Sequence, residues 1–161
     1  MILVTVGTQL PFDRLVQAMD AIQPGLGIEV IAQNWTGSYQ PQNIAVQERF
    51  GPAEFEQLAR HAALIVAHAG IGSVLTARRL GKPIVLMPRT AGFGEHRSDH
   101  QLATARKLVG KPGVFIAMDE AELPGAIAKG LAAGDISTAE NRGARQLVDA
   151  VAEFIHEGGT R

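Results

Sequence analysis

Apolar runs of strand length alternate with segments of helical period along almost the whole chain, and this alternation constrains the fold most strongly. The apolar runs occupy residues 2–6, 28–34, 44–50, 63–70, 83–88 and 113–118. Segments with helical spacing lie at 11–22, 52–62, 72–81, 99–109, 120–132 and 138–158. Short buried strands that alternate with helices predict a parallel sheet covered on both faces. The sequence therefore predicts an α/β fold with a doubly wound, Rossmann-like parallel sheet.

Local signals set the expected limits of several elements. Pro24 and Gly25 predict the end of the first helix, because proline removes a backbone donor and glycine favours turns. Pro124 predicts an interruption in the segment 120–132. The run at 44–50 alternates apolar and polar residues more than the others, which indicates a strand nearer an edge of the sheet.

Size and composition bound the class of protein. A chain of 161 residues fits a single domain, 1–161, and can bury a substantial core. It has no cysteine, which excludes disulfides, thiolate metal ligands and a cysteine nucleophile. A formal net charge of -1 gives no drive toward nucleic acid. No basic leader opens the chain, and no apolar run approaches the roughly 20 residues of a membrane span, so we expect a cytoplasmic protein.

The stretch HAGIGS, residues 68–73, follows a buried strand and opens a helix. Gly70 and Gly72 allow the backbone to turn tightly and to approach a ligand. Free N–H groups at a helix amino terminus favour phosphate, and Ser73 can cap the helix or donate to a phosphate oxygen. The alternative is a turn that needs glycine for packing alone. The stretch matches neither the GxGxxG nor the GK[ST] phosphate motif.

A second polar stretch, GEHRSDHQ, occupies residues 94–101 after the next strand. His96 and His100 have the i, i+4 spacing of a zinc-protease pair. Arg97 stands where that chemistry needs a glutamate. No metal site is therefore predicted.

Other side chains of this stretch suit a sugar phosphate. Asp99 and Gln101 can form hydrogen bonds with vicinal hydroxyls, and Arg97 and Arg89 can neutralise phosphate charge. The alternative is a solvated loop in which Asp99 caps the following helix. Because ligands of open α/β sheets bind beyond the carboxyl ends of the strands, we expect these residues and the 68–73 turn to face one cleft.

With these residues in place, the sequence resembles the C-terminal, nucleotide-sugar-binding half of GT-B glycosyltransferases of family 28. The likeness rests on VTVGT with PFDRLV, on HAGIGSVLTARRLGKPIVLMPR and on GEHRSDHQLATA, in that order over nearly the whole chain. It is strongest for small single-domain subunits of split UDP-sugar transferases, both bacterial exopolysaccharide enzymes and the eukaryotic enzyme of dolichol-linked chitobiose. The resemblance implies a hexosyl or N-acetylhexosaminyl transferase that needs no metal or other cofactor.

The resemblance also assigns positions in the donor site. According to the resemblance, four residues face the diphosphate of a UDP-sugar: His68, Gly70, Gly72 and Ser73. The residues expected to face the donor sugar are Asp99, His100 and Gln101. The residues expected to line the cleft beside the first strand are Gly7 and Thr8. The helix dipole and basic side chains then stabilise the departing diphosphate.

Thr76 is the position where this chain departs from the family pattern. Many relatives carry Glu or Asp one turn after the serine, where a carboxylate can bond two ribose hydroxyls. A threonine hydroxyl takes only part of that pattern, and together with GEHRSDHQ it favours the bacterial exopolysaccharide subgroup. For a catalytic base the sequence offers only His68 and His96.

The first strand begins at residue 2, so we expect the acceptor-binding half of the two-domain architecture to be a separate chain. The resemblance then implies a donor-binding subunit that is active only with a membrane-anchored partner. That partner recruits it to the inner face of the membrane and holds a lipid-linked saccharide acceptor. The apolar face of 144–155 is a candidate docking element, unless it packs on the chain's own sheet. Alternative functions are a non-catalytic nucleotide-sugar-binding or regulatory module and an epimerase fragment.

Overall fold

A parallel β-sheet forms the centre of the fold. The computed structural model describes residues 1–136, so the predicted segments 138–158 and 144–155 lie outside the described residues. The six strands of this part of the chain are β1 (Ile2–Thr5), β2 (Val30–Gln33), β3 (Ala45–Gln47), β4 (Leu64–His68), β5 (Ile84–Met87) and β6 (Val114–Ile116). Their order is β3-β2-β1-β4-β5-β6, and all neighbours are parallel. The predicted α/β, Rossmann-like fold is confirmed.

Helices alternate with these strands. They are α1 (Asp13–Leu26), α2 (Pro52–His61), α3 (Ile71–Arg79), α4 (His100–Leu108) and α5 (Leu123–Ala133). Each predicted strand forms but is shorter than its apolar run, and β3 lies at an edge of the sheet as predicted. Among the described helices, none combines the length and apolar character needed to cross a bilayer.

Two apolar layers cover the sheet, one on each face. Side chains of a strand alternate between its two faces. Ile2 and Val4 of β1 therefore pack in the layer formed with α1 and α5. Leu3 of the same strand packs in the opposite layer with α2, α3 and α4. All three side chains are fully buried, which is why the first strand is a continuous apolar run.

The prediction that α1 ends at Pro24 is wrong. The helix runs through Pro24 to Leu26 and ends at Gly27, whose φ of +63° is left-handed. A proline inside a helix leaves the carbonyl four residues earlier without its backbone donor. Here that carbonyl belongs to Asp20, and the side-chain amide of Asn43 donates to it at 3.2 Å. This tertiary hydrogen bond replaces the missing helical one, so the helix continues.

The predicted interruption at Pro124 is also corrected. Helix α5 begins at Leu123, so Pro124 lies in the first turn, where its missing N–H is not needed. The preceding residues Glu120–Glu122 form a separate 3₁₀ turn. The Asp119 carboxylate caps that turn by accepting from the Glu122 amide at 3.1 Å. Pro124 therefore marks the start of an α-helix rather than a break within one.

The carboxyl ends of the central strands lie at one level. Thr5 of β1 is in register with Gln33 of β2 and with Ala67 of β4. The strand order reverses between β1 and β4, which makes this pair the switch point of the sheet. Ligands of doubly wound sheets bind in the crevice above such a point.

Candidate functional site

A cleft of about 840 Å³ opens above the carboxyl ends of β1 and β4. Its walls come mainly from the loops that follow β1, β3, β4 and β5. The predicted binding residues that line it are Gly7, Thr8, His68, Gly70, Gly72, Ser73, Thr76, Arg89, His96, His100 and Gln101. Arg97 and Asp99 are exposed and are not among the lining residues.

The amino terminus of α3 meets the cleft without a side-chain cap. Gly70 is the N-cap residue, and the first turn carries neither a capping side chain nor an acidic one. The first amides of a helix have no partner within that helix. A Cβ added at Gly72 would meet no atom within 4 Å. The turn therefore presents backbone N–H groups and open space, an arrangement that suits phosphate.

His68 ends β4, and its imidazole lies between two glycines. Gly7 has a φ of +81°, and a Cβ there would lie 2.8 Å from Cε1 of His68. A Cβ at Gly70 would overlap Nε2 of the same ring. At Gly70 the packing explanation of the glycine therefore applies, whereas Gly72 faces free space. The ring fixes the separation between the loop after β1 and the start of α3.

Burial, together with the Arg89 guanidinium, lowers the pKa of the His68 imidazole to about 4. The ring is therefore neutral near pH 7. A general base works best when its pKa lies near the operating pH. His68 is accordingly a weak base for a hydroxyl proton, and its packing between Gly7 and Gly70 suits it to hold the two loops.

The low pKa of His68 predicts a pH dependence of stability. An unfolded histidine has a pKa near 6.5, and the folded value is about 4, so the unfolded state binds more protons between these values. The free energy of unfolding should therefore fall as pH drops from 6.5 to 4, by up to about 3 kcal/mol. Urea unfolding of the wild type and of His68→Gln at several pH values checks this. Equal pH slopes for the two proteins would contradict it.

Arg89 lies beneath the loop that follows β1. Its Nη2 donates to the carbonyls of Val6 at 2.7 Å and Leu10 at 2.5 Å. The guanidinium lies 5.1 Å from the ring centroid of Phe12, a cation–π distance. Burial lowers the pKa of Arg89 to about 10, which leaves it charged at neutral pH. In the described residues it has no ion-pair partner, so it gives the cleft a positive floor.

The sugar-facing residues predicted at 99–101 separate in the structure. The Asp99 carboxylate accepts from the backbone amide of Ala91 at 2.8 Å, so it holds its own loop together. Asp99 occupies the N-cap position of α4 but does not cap it. Gln101 lines the cleft, while its Oε1 accepts from the backbone amide of Arg89 at 3.1 Å. Of the three predicted residues, His100 and Gln101 line the cleft and Asp99 does not.

His96 and His100 lie together on the wall of the cleft. Their rings pack edge to face with centroids 4.3 Å apart. Burial, and then the neighbouring His100, lowers the pKa of His96. Throughout residues 1–136, no three His, Cys, Asp or Glu side chains converge as metal ligands.

Another wall of the cleft consists of residues that no motif indicated. They are Gln33, Arg49, Phe50, Gly51, Pro52 and Phe55. Gln33 joins this wall to the loop after β1, because its Nε2 donates to Gly7 O at 3.0 Å and its Oε1 accepts from Phe50 N at 3.2 Å. The prediction of a strand at β3 could have indicated that the loop after it lines the cleft, since the carboxyl end of β3 faces the same edge of the sheet.

The cleft carries no carboxylate among the residues described. Its ionisable side chains are Arg49, His68, Arg89, His96 and His100. Glu95 acts electrostatically on Arg89 from outside the lining, but positive and neutral groups with no acid among them favour an anionic ligand. The same lining provides no carboxylate that could act as a general base.

Comparisons with known proteins identify the family and the fold. The chain matches the glycosyltransferase family 28 C-terminal domain over residues 1–146. No curated protein matches it. The glycosyltransferase SnogD from Streptomyces nogalater is 19% identical with a TM-score of 0.58, covering 98% of this chain and 44% of SnogD. The glycosyltransferase SsfS6 of Streptomyces sp. SF2575, complexed with thymidine diphosphate, is 24% identical with a TM-score of 0.55, covering 89% and 35%.

A smaller protein of the same fold matches nearly end to end. The solution structure of ALG13 is 16% identical with a TM-score of 0.59, covering 91% of this chain and 94% of ALG13. By contrast, the chain spans less than half of the length of SnogD or SsfS6. The structural likeness shows a GT-B fold half, and the family match covers residues 1–146. This chain therefore belongs to the glycosyltransferase family 28 C-terminal domain family.

Proposed function

We propose that this chain is the donor-binding subunit of a two-component glycosyltransferase. It transfers a hexosyl or N-acetylhexosaminyl group from a UDP-sugar to a lipid-linked saccharide in exopolysaccharide synthesis. The observation that carries the proposal is the cleft at the switch point, which joins the uncapped start of α3 to a lining without carboxylates. Such a site suits a diphosphate. Membership of a glycosyltransferase family supports sugar transfer.

The cleft offers chemically suitable side chains or backbone groups to each part of the donor. The α3 turn at Gly72 suits the diphosphate. Phe50 and Phe55 provide apolar surface for a flat pyrimidine base, and Thr76 offers one hydroxyl to the ribose. Gln101 and the two adjoining imidazoles suit the sugar. The complex of SsfS6 with thymidine diphosphate supports a pyrimidine nucleoside diphosphate as the ligand class.

The proposed reaction is a displacement at the anomeric carbon of the donor. The acceptor hydroxyl oxygen bonds to that carbon while the bond from the carbon to the diphosphate oxygen breaks. UDP leaves with the electron pair, and the amino terminus of α3 and the Arg89 guanidinium stabilise its developing charge. The hydroxyl proton passes to a base.

The base is assigned to a partner subunit. The cleft has no carboxylate within the described residues, and the lowered pKa values of His68 and His96 make them weak bases. A second, membrane-anchored subunit at the cytoplasmic face then supplies the base and holds the lipid-linked acceptor.

Calorimetry and transfer assays test this proposal. The full chain is titrated with UDP, UDP-N-acetylglucosamine, UDP-glucose and UDP-glucuronate. Transfer of labelled sugar is then measured with and without membranes from cells that lack this chain. We expect UDP to bind the chain alone, and sugar transfer to require the membranes.

Other outcomes distinguish the alternative functions. Donor binding without transfer, with or without membranes, would favour a regulatory module. Chemical change of the donor without any acceptor would favour an epimerase. If no nucleotide binds, the assignment of the cleft to a nucleotide sugar is refuted.

A further inference from the structure

Arg14 of α1 holds the loop that follows β5. Its Nε and Nη2 donate to the Glu95 carboxylate at 2.6 and 2.8 Å, across 81 residues of chain. Nη2 also donates to the carbonyl of Pro88 at 3.1 Å. Pro88 directly follows β5, and Glu95 directly precedes His96. One guanidinium therefore holds both ends of the stretch 88–95, called here the 88–95 loop.

Both oxygens of the Glu95 carboxylate accept hydrogen bonds from this chain. Oε1 accepts from Nε of Arg14, and Oε2 accepts from Nη2 of Arg14 and from the backbone amide of Thr90 at 2.9 Å. The side chain of Glu95 is 11% exposed and is not part of the cleft lining. Paired hydrogen bonds between arginine and a carboxylate fix both groups in one geometry. Glu95 is therefore placed to hold the loop rather than to take a proton from an acceptor.

The position of His96 depends on the 88–95 loop. His96 follows Glu95 directly and lines the cleft. Its hydrogen bond comes from the backbone amide of Ser98, which donates to Nδ1 at 3.4 Å. Its ring contact is with His100. Both partners lie within four residues of it in the chain, so the end of the loop at Glu95 sets where the imidazole enters the cleft.

Arg89 lies in the same loop but has anchors of its own. Its guanidinium bonds the carbonyls of Val6 and Leu10, and its backbone amide donates to Gln101. The charge of Glu95 acts on Arg89 with the opposite sign, so removal of that charge does not weaken the attraction of Arg89 for an anion. The start of α3 belongs to a different loop. The diphosphate end of the cleft is therefore held independently of Glu95.

We propose that Glu95 and Arg14 are positioning residues for the donor sugar, which hold His96 at the sugar-binding side of the cleft without touching the ligand. The proposal rests on the function proposed above, in which the imidazoles meet the sugar and α3 meets the diphosphate. A displacement of about 1 Å near a reacting centre can lower a rate about a hundredfold. Release of the 88–95 loop should therefore impair sugar binding and transfer while UDP still binds.

Two titrations and a transfer assay on the full chain test this role. Each variant is titrated with UDP and with whichever of UDP-N-acetylglucosamine, UDP-glucose and UDP-glucuronate binds the wild type most tightly. Transfer is measured with membranes from cells that lack the chain. We expect Glu95→Gln to bind UDP within about twofold of the wild type, to bind the UDP-sugar at least about fivefold more weakly, and to lower kcat at least about tenfold.

Glu120→Gln is the matched control. Glu120 accepts from Nη1 of the same guanidinium at 3.0 Å, but 44% of its side chain is exposed and it lies outside the 88–95 loop. Because exposed ion pairs contribute little, this variant should keep both affinities and kcat within about twofold of the wild type. An effect of Glu120→Gln as large as that of Glu95→Gln would overturn the role of the loop.

Arg14→Lys tests the same contact from its other side, also if Glu95→Gln fails to fold. Lysine keeps the charge but lacks the planar fork that bonds Pro88 and both oxygens of Glu95. We expect the same loss of UDP-sugar binding as in Glu95→Gln. Transfer lost in Glu95→Gln but retained in Arg14→Lys would make Glu95 a base and overturn the positioning role.

A double variant shows whether Glu95 acts through His96. In a chain that already carries His96→Ala, Glu95→Gln should cause no further loss of UDP-sugar binding, because the group that it positions is gone. A further loss equal to that in the wild-type background would refute this route.

The remaining outcomes separate this inference from the function on which it rests. Wild-type affinity of Glu95→Gln for the UDP-sugar refutes the positioning role, and so does an equal weakening of UDP and UDP-sugar. If the wild type binds UDP but membranes elicit no transfer, the two-component function fails and the titrations alone decide the role of Glu95. If the wild type binds no UDP, the proposed donor site itself is refuted.

Discussion

The Gly72→Ala variant is expected to fold at least as stably as the wild type and to bind UDP at least about tenfold more weakly. A Cβ at Gly72 meets no protein atom within 4 Å, so the added methyl group costs nothing in packing. Alanine is also the better helix former, by up to about 1 kcal/mol. The same methyl group would occupy the space above the first amides of α3, where the diphosphate is proposed to lie.

Gly70→Ala is the matched variant, and it is expected to lose stability as well as UDP binding. Its Cβ would overlap the His68 imidazole, so the ring or the turn has to move. Overpacking of this kind typically costs about 1–3 kcal/mol. We expect Gly70→Ala to unfold at lower urea concentration and to bind UDP weakly because its site is distorted. Only Gly72→Ala should separate binding from stability.

Urea unfolding and UDP calorimetry on both variants check this pair. A Gly72→Ala chain that binds UDP as tightly as the wild type would place the diphosphate away from α3. A Gly72→Ala chain that loses stability would mean that its Cβ meets protein atoms after all. A Gly70→Ala chain of wild-type stability would show that His68 has another position available.

The turn between β4 and α3, which suits phosphate, could be predicted from the sequence because all of its parts are close together in the chain. The strand end, the glycines and the helix start lie within residues 68–73. The different tasks of Gly70 and Gly72 could not be predicted. They depend on where the His68 ring lies against the loop after β1, and that placement is a tertiary contact.

The charged residues after β5 show a second limit of sequence patterns. Arg89 was predicted to meet phosphate, and besides lining the cleft it donates from Nη2 to the carbonyl of Val6, which is 83 residues away in the chain. Asp99, the predicted sugar contact, accepts from the backbone amide of Ala91 in its own loop. A motif indicates which polar groups are present. Which of them are already satisfied by backbone partners depends on the fold.

Asp20 is the strongest example, because an acidic residue within an amphipathic helix is expected to face solvent. Instead it is buried, with 3% of its surface exposed. Its carboxylate accepts from the backbone amides of Gln42, Asn43 and Ile44 at 2.6–3.2 Å. It also accepts from the Tyr39 hydroxyl at 2.8 Å. One side chain of α1 therefore holds the loop that leads into β3 and onward to the wall of the cleft.

Asp20→Ala is expected to lower the free energy of unfolding by roughly 3–5 kcal/mol, because the backbone amides of Gln42 and Asn43, the buried amide of Ile44 and the Tyr39 hydroxyl lose their shared acceptor at once. Tyr39→Phe is the matched control, since it removes one donor and leaves the carboxylate in place. It should cost about 1 kcal/mol. Urea unfolding at pH 7 measures both, and an Asp20→Ala cost no larger than that of Tyr39→Phe would contradict the role of this carboxylate.

The pH dependence of the free energy of unfolding distinguishes the contribution of the Asp20 charge from that of its side-chain volume. Burial alone would raise the pKa of Asp20, but hydrogen bonds from Asn43 and Gln42 hold it below the ordinary value of 3.8. The ionised carboxylate therefore stabilises the fold above pH 3.8, and this contribution is lost as pH falls through the lower folded pKa. Asp20→Asn should lack that acid loss while keeping the side-chain volume. Since the His68 effect lies between pH 4 and 6.5, unfolding curves at pH 7, 4 and 3 resolve the two groups. Parallel losses below pH 4 in the wild type and Asp20→Asn would assign the acid transition to another carboxylate.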